Sequence, residues 1–415
     1  MSGATSAPRF ADPSAYASVL AIGVPAALAA AEVSKGADLL PGLPVFLAVH
    51  IVVLVAALVL WLRCTTWSRS TPVRIVLGAI AVLWLLITVL ALARDPGVEP
   101  EIVVVLASMA LLAGKPPGPV SARRVADNLC WALVAIVALT VLLEATGLVR
   151  SPYADITVET YDRSEYWLPI SHLLHIDGRW AGPFIHPNRA GPIGAFLLVY
   201  GVTRRGPSRV VFAAIGLLVL LLASSRTAWI GAAAGLAALV IGAWLSRPRS
   251  RRQLWLAAGA AVAFGVVVLA VVARNPGLTG RTGVWPEYLA LFRESPWTGT
   301  GTRGILTAID TGALPGWAAH AHNTYIDMLA RNGVFAFVIA LAILGYALVV
   351  AVQGARAGSQ AGLGLVAMIL VASLGHTIVA FANPEVLLWV LVLAVMMSDV
   401  GSTTVSSSEV GSDGR

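Results

Sequence analysis

Cysteine is nearly absent: Cys64 and Cys130 are the only two in 415 residues. Two thiols cannot build a disulfide framework, and without a Cys-x-x-Cys they make no cysteine zinc site. Charge is scarce too, at 12% Asp, Glu, Lys and Arg, where a soluble domain carries about 25%. Lysine contributes only Lys35 and Lys115. There is no Asp-x-Asp, which argues against a nucleotide-sugar site built on a divalent metal. There is no His-x-x-x-His, and His172, His175 and His186 are too irregularly spaced to make a convincing metal site. The N-terminus lacks a basic stretch joined to an apolar core and cleavage site, so no signal peptide is expected. No internal repeat is evident, which weighs against an inverted-repeat transporter.

Apolar residues fill the space left by these absences. They make up 58% of the chain, with a mean hydropathy of +0.83, and recur in runs long enough to cross about 30 Å of hydrocarbon. The expected fold is an all-α polytopic membrane protein of about twelve spans. They lie near 16–33, 43–63, 73–94, 100–114, 127–148, 189–204, 208–223, 226–246, 253–273, 333–353, 360–381 and 384–399. The membrane domain covers residues 1–400, and 401–415 form a Ser/Gly-rich tail expected to be disordered.

The arginines set the orientation. Short loops on one side hold Arg63, Arg69 and Arg74, then Lys115, Arg123 and Arg124, then Arg204, Arg205 and Arg209, then Arg247, Arg249, Arg251 and Arg252, then Arg356. The positive-inside rule makes that side cytoplasmic, with both termini inside. Loops 149–188 and 274–332 fall on the opposite face. The net charge of +7 is then topology, and with no soluble basic face, nucleic acid is not a partner. Cys64 and Cys130 sit at cytoplasmic span ends as free thiols.

Chemistry-bearing residues gather on the outer side. Ser224-Ser225-Arg226-Thr227 opens a span with almost no loop before it. An Arg there either snorkels to headgroups or meets an anion, which the positive helix end and backbone N–H groups favour. Gly280-Arg281-Thr282 precedes a short amphipathic segment whose Tyr288, Leu291 and Phe292 are expected to dip into the membrane interface. His320-Ala321-His322-Asn323-Thr324-Tyr325 reads as a helix start with Asn323 as N-cap, and Asn332-Gly333 as its end or a hinge. The positive helix end disfavours an imidazolium at His322 and keeps it neutral, as a general base requires. His186-Pro187-Asn188-Arg189 opens another span, with Asn188 placed to cap it. Gly299-Thr300-Gly301-Thr302-Arg303-Gly304 matches a dinucleotide fingerprint but follows no strand, and reads as a tight turn.

These segments resemble the O-antigen ligase and O-antigen polymerase superfamily. Ser225-Arg226-Thr227 is similar to its Ser-Arg-Thr motif, and Gly280-Arg281, Trp285, Pro296, Gly299 and Gly301 to its Gly-Arg…Trp…Pro-x-x-Gly-x-Gly pattern. His322-Asn323 with Leu329 and Gly333 looks like its His-Asn segment, and 184–191 like its Asn-bearing helix entry. The resemblance implies a membrane glycosyltransferase of the C-type fold class. It implies transfer of a glycan from a polyprenyl-pyrophosphate donor to an acceptor hydroxyl on a glycan or lipid-linked glycan, at the outer face of the bilayer. His322 would be the base, with Arg226 and Arg281 on the pyrophosphate. His186, Asn188, Asn323, Tyr325 and His320 would contact substrate. The reaction would invert the anomeric centre, with no cofactor and no metal. The alternative class is a non-catalytic transporter or flippase of lipid-linked glycans. It too would use outward arginines but should place ionisable residues near the midplane, where few occur.

Overall fold

The computed structural model describes residues 119–146, 179–182, 186–246 and 281–378, together with 389, 392 and 393. Among these, all regular structure is helical. In chain order the α-helices are α1 (Pro119–Ala145), α2 (Pro187–Val202), α3 (Pro207–Ala223), α4 (Arg226–Leu245), α5 (Trp285–Glu294), α6 (Gly301–Asp310), α7 (Thr324–Arg356) and α8 (Ala361–Ala372), with a 3-10 turn at Arg281–Val284. Among the described residues, three helical segments are long and apolar enough to cross a membrane: Arg123–Ala145, Arg226–Leu245 and Thr324–Arg356. Pro207–Ala223 and Ala361–Ala372 are shorter apolar helices. The expected spans at 16–33, 43–63, 73–94, 100–114 and 253–273, nearly all of 384–399, Cys64 and the tail lie outside the described residues.

Helix starts follow local chemistry. Proline sits at the first positions of α2, α3 and α5, where its missing N–H costs nothing. The helices then pack through small residues, the membrane route to close backbone approach. Gly194 of α2 faces Gly216 of α3, and a methyl on either would meet the other's carbonyl oxygen at under 3 Å. Gly231 and Gly235 of α4 lie equally close to Ala372 and Gly364 of α8. Aliphatic side chains from α1, α2, α3, α4, α7 and α8 fill one continuous core.

Two expected spans are corrected. Instead of running from 360 to 381, α8 stops at Ala372. Its twelve residues cover about 18 Å, short of the hydrocarbon thickness. The turn that follows is stable because its carbonyls find protein donors. Ser373 accepts from the Thr324 N–H at 2.9 Å, His376 from the Thr324 hydroxyl at 2.9 Å, and Gly375 from the Thr227 hydroxyl at 3.3 Å. Irregular backbone beside a membrane bundle persists only when satisfied in this way. The expected span at 333–353 extends upstream, since α7 begins at Thr324 and kinks at Gly333 (φ 76°, ψ 178°).

The kink is clasped. The Val334 N–H donates to the Pro296 carbonyl at 2.8 Å, and the Thr300 N–H to the Ala330 carbonyl at 2.9 Å. Gly333 lies against the Trp297 carbonyl and Gly299 against the Arg331 carbonyl, with no room for a Cβ on either. Both have positive φ. The Gly299-Thr300-Gly301 turn is thus a backbone clasp on α7, which explains its glycines without a nucleotide.

Beside the clasp, α5 and α6 form a small second core. Tyr288 is fully buried with Val284, Ile305, Ala308, Leu314, Ala318, Ala321 and Ala330. Its hydroxyl donates to the Ala318 carbonyl at 2.7 Å. Tyr288 therefore faces protein instead of dipping into lipid, and Leu291 and Phe292 pack partly buried on the same core. A phenol that reaches a buried carbonyl gains more there than at the wet interface.

Candidate functional site

The helices sort the polar residues between two ends of the bundle. At one end the Arg204 guanidinium meets Asp127 at 2.6 Å, and the Tyr200 hydroxyl donates to the same carboxylate at 2.9 Å. Arg123, Arg124, Arg205 and Arg209 belong to helix ends on this side, and so does Arg356, whose neighbour Ala355 packs near Gly242 and Gln360.

The opposite end is built from the α2, α4 and α7 N-termini, the turn after α8, and the cap of α5 and α6. His186 is the N-cap of α2, its Nδ1 accepting the Asn188 N–H at 3.0 Å. This corrects the assignment of capping to Asn188. An imidazole whose acceptor nitrogen reaches the second helical N–H does the same task, with Pro187 occupying the first position. The Asn188 side chain is released for other work. It is buried, and its Oδ1 accepts from Arg179 Nη2 at 2.8 Å. Arg179 also donates from Nε to the Ala223 carbonyl at 3.0 Å. It thereby ties α2 to the turn between α3 and α4.

That turn presents Arg226. Ser224 closes α3 in the left-handed conformation, Ser225 is the N-cap of α4, and Arg226 is its first residue, exposed. Gly191 lets α2 approach this turn, since a methyl there would lie 2.6 Å from the Ser225 Cβ. One residue on, Thr227 bonds Gly375, and the same turn after α8 holds Thr324. A chain of direct bonds thus runs from Arg179 through α4 to the start of α7.

The start of α7 carries the histidines. Asn323 is its N-cap, with Oδ1 accepting the N–H groups of Tyr325 at 3.0 Å and Ile326 at 3.2 Å, as the sequence predicts. His322, just before it, has a left-handed backbone (φ 52°) and lies against Trp317, ring centroids 6.2 Å apart. A non-glycine residue in that conformation is strained by about 1–2 kcal/mol. Trp317 itself is half-exposed. His320 is largely buried, and its Nδ1 has no hydrogen-bond partner among the described residues. Burial, with help from the charges of Arg331 and Arg189 and against the pull of Asp327, brings its pKa down to about 4. It is neutral at physiological pH.

Tyr325 turns inward, its hydroxyl donating to the Leu370 carbonyl at 3.0 Å. Arg281 opens the 3-10 turn before α5, and α5 is fastened to the histidine loop where Trp285 Nε1 donates to the Ala321 carbonyl at 3.0 Å. The Arg281 side chain, His172 and His175 lie outside the described residues.

Asp327 and Arg331 escaped sequence reading. They form a buried ion pair at 3.2 Å. The Asp327 Oδ1 accepts the Ala321 N–H at 3.0 Å, while Arg331 reaches the Thr302 hydroxyl and the Ala319 carbonyl, both at 2.8 Å. A signal was available: opposite charges four apart on a helix leading into an apolar run. Arg179 gave none, because its Ala223 partner is 44 residues away.

No curated protein matches the chain closely enough to report as a relative. Residues 211–341, from α3 into α7, match the family model described as O-antigen ligase, so this stretch of the membrane protein is similar to that superfamily.

Proposed function

We propose that this chain transfers or polymerises a polyprenyl-pyrophosphate-linked glycan onto an acceptor hydroxyl at the outer face of the cytoplasmic membrane. One observation carries the reading. Arg226, Asn188, His320 and His322 come from separated stretches of sequence, yet their elements are bonded into one end of the bundle. The Asp127–Arg204 end carries no comparable grouping of histidines among the described residues.

In this reading Arg226 and Arg281 hold the donor's pyrophosphate, which bidentate guanidinium contacts suit better than ammonium ones. His322 accepts the proton of the attacking sugar hydroxyl. The hydroxyl oxygen bonds to the anomeric carbon as that carbon's bond to the pyrophosphate oxygen breaks. The departing electron pair adds negative charge to the lipid pyrophosphate, and the arginines stabilise it. Attack from the face opposite the leaving group inverts the centre. The donor is already activated, so no metal is needed. Asn188, Asn323, His186 and His320 line the approach. With Tyr325 turned towards α8, its contribution is to hold the start of α7.

The test is transfer from lipid-linked oligosaccharide to acceptor by purified protein in the presence of EDTA. Activity should persist in EDTA and fall in Arg281→Lys, where a point charge replaces a two-pronged donor. Loss in EDTA restored by a divalent ion would overturn metal independence. Net movement of intact lipid-linked glycan across vesicles, without glycosidic bond formation, would favour a flippase.

A further inference from the structure

We propose that Asp327 and Arg331 are positioning residues that hold His322 in its left-handed conformation and so set the direction of its imidazole. The proposal rests on His322 being the base. Three residues decide the matter. Ala321 is held by its N–H on the Asp327 carboxylate at 3.0 Å. Asn323 is held by its cap bonds to Tyr325 and Ile326, and Thr324 by Ser373 and His376. His322 is pinned between them, on both sides, to the first turn of one helix, and takes φ 52° to close the gap. A side chain in that region persists only when its surroundings over-determine it.

Arg331 completes the device. Its Nε donates to Asp327 at 3.2 Å, which orients the carboxylate towards Ala321. Its Nη2 bonds the Ala319 carbonyl and its Nη1 the Thr302 hydroxyl of α6. The pair therefore grips the histidine loop at Ala319 and at Ala321, bracketing His320 and ending one residue before His322. Both side chains are almost fully buried, at 1% and 2% exposure, so the grip is not loosened by water. Neither is placed to touch substrate. Their effect on the reaction passes through the backbone of His322.

A double-mutant cycle tests this, read as kcat per folded molecule, with donor lipid extracted from the producing bacterium and binding checked with polyprenyl pyrophosphate alone. Asp327→Ala should lower kcat about 10- to 100-fold while leaving polyprenyl pyrophosphate affinity within about threefold. Asp327→Asn, which keeps an acceptor for the Ala321 N–H, should recover most of that loss. On a His322→Ala background, Asp327→Ala should cost nothing further, because the residue through which it acts is gone. Should Asp327→Ala fail to fold, Arg331→Gln serves the same cycle, with an expected loss of about tenfold. Full kcat in the folded single variants, or an equal loss on both backgrounds, overturns the positioning role. If His322→Ala is itself fully active, the base assignment fails first, and the cycle reads zero coupling. An inactive His322→Ala beside a fully active Asp327→Ala removes positioning and leaves the functional reading standing.

Discussion

Arg204 and Arg331 are each paired with an aspartate, at opposite ends of the same bundle. Arg204 reaches across 77 residues to Asp127, joining the α2 exit to α1, and both side chains keep some contact with solvent. Arg331 pairs with a neighbour one turn away, so the ion pair joins nothing that the helix had not joined already. Its remaining donors go to a carbonyl and a hydroxyl outside α7. The first pair fixes how two helices pack. The second fixes the backbone of a loop, and that loop carries the histidines. The difference teaches where a buried charge earns functional suspicion: when its hydrogen bonds converge on loop backbone beside candidate chemistry.

The comparison breaks most sharply through the histidine. His322→Ala should lower kcat by about 10²–10⁴ with the melting temperature in detergent almost unchanged. Asp127→Ala at the other end should leave kcat per folded molecule near wild type. If the two variants gave equal losses, the ends would not divide chemistry from packing.

Gly333→Ala comes next. A methyl there meets the Trp297 carbonyl while the residue is held at φ 76°. Strain of about 1–3 kcal/mol plus displacement of the clasp should destabilise the cap end and lower the melting temperature. An unchanged melt would mean that the clasp is loose.

Asp127→Ala follows, as a stability change. It leaves Arg204 and the Tyr200 hydroxyl without their shared acceptor, worth about 1–3 kcal/mol. Denaturation in detergent would measure it, and a change below about 0.5 kcal/mol would class the pair with ordinary surface ion pairs.

The smallest effect separates the ends by pH. His320 has a folded pKa of about 4, below its ordinary value of 6.5. Between those values the unfolded chain binds more protons than the folded one, so stability falls as pH drops from 6.5 towards 4. His320→Gln should flatten that part of the melting-temperature profile. A profile identical to wild type would mean that His320 titrates normally.

Much of this was legible in the sequence, for physical reasons. Proline starts, the Asn323 cap, the Gly333 hinge and the abrupt turn before Arg226 are encoded by residues adjacent in the chain, and all stand close to where local chemistry puts them. The misreadings have two sources. The α2 cap is local, and His186 takes it from Asn188 because its Nδ1 reaches the Asn188 N–H two residues on. Tyr288 found a carbonyl 30 residues away, and α8 stopped early because Thr227 and Thr324 satisfy its exit; those two outcomes depend on partners distant in sequence, which hydropathy and spacing cannot name. The candidate site was readable only as a set of residue types expected on one side. The Asp327–Arg331 grip was overlooked because buried charge in an apolar helix looks like a flaw until its partners are known.

The clasp at Gly333 makes the bend of α7 a fixed corner. A free hinge would let residues 334–356 tilt while residues 324–332 stayed still. Here the bend is tied to Pro296 and Thr300 by hydrogen bonds on both of its sides. If the long arm tilts to match a thinner or thicker hydrocarbon layer, these bonds are what would carry the tilt to the arm before Gly333, and cutting them would uncouple the two.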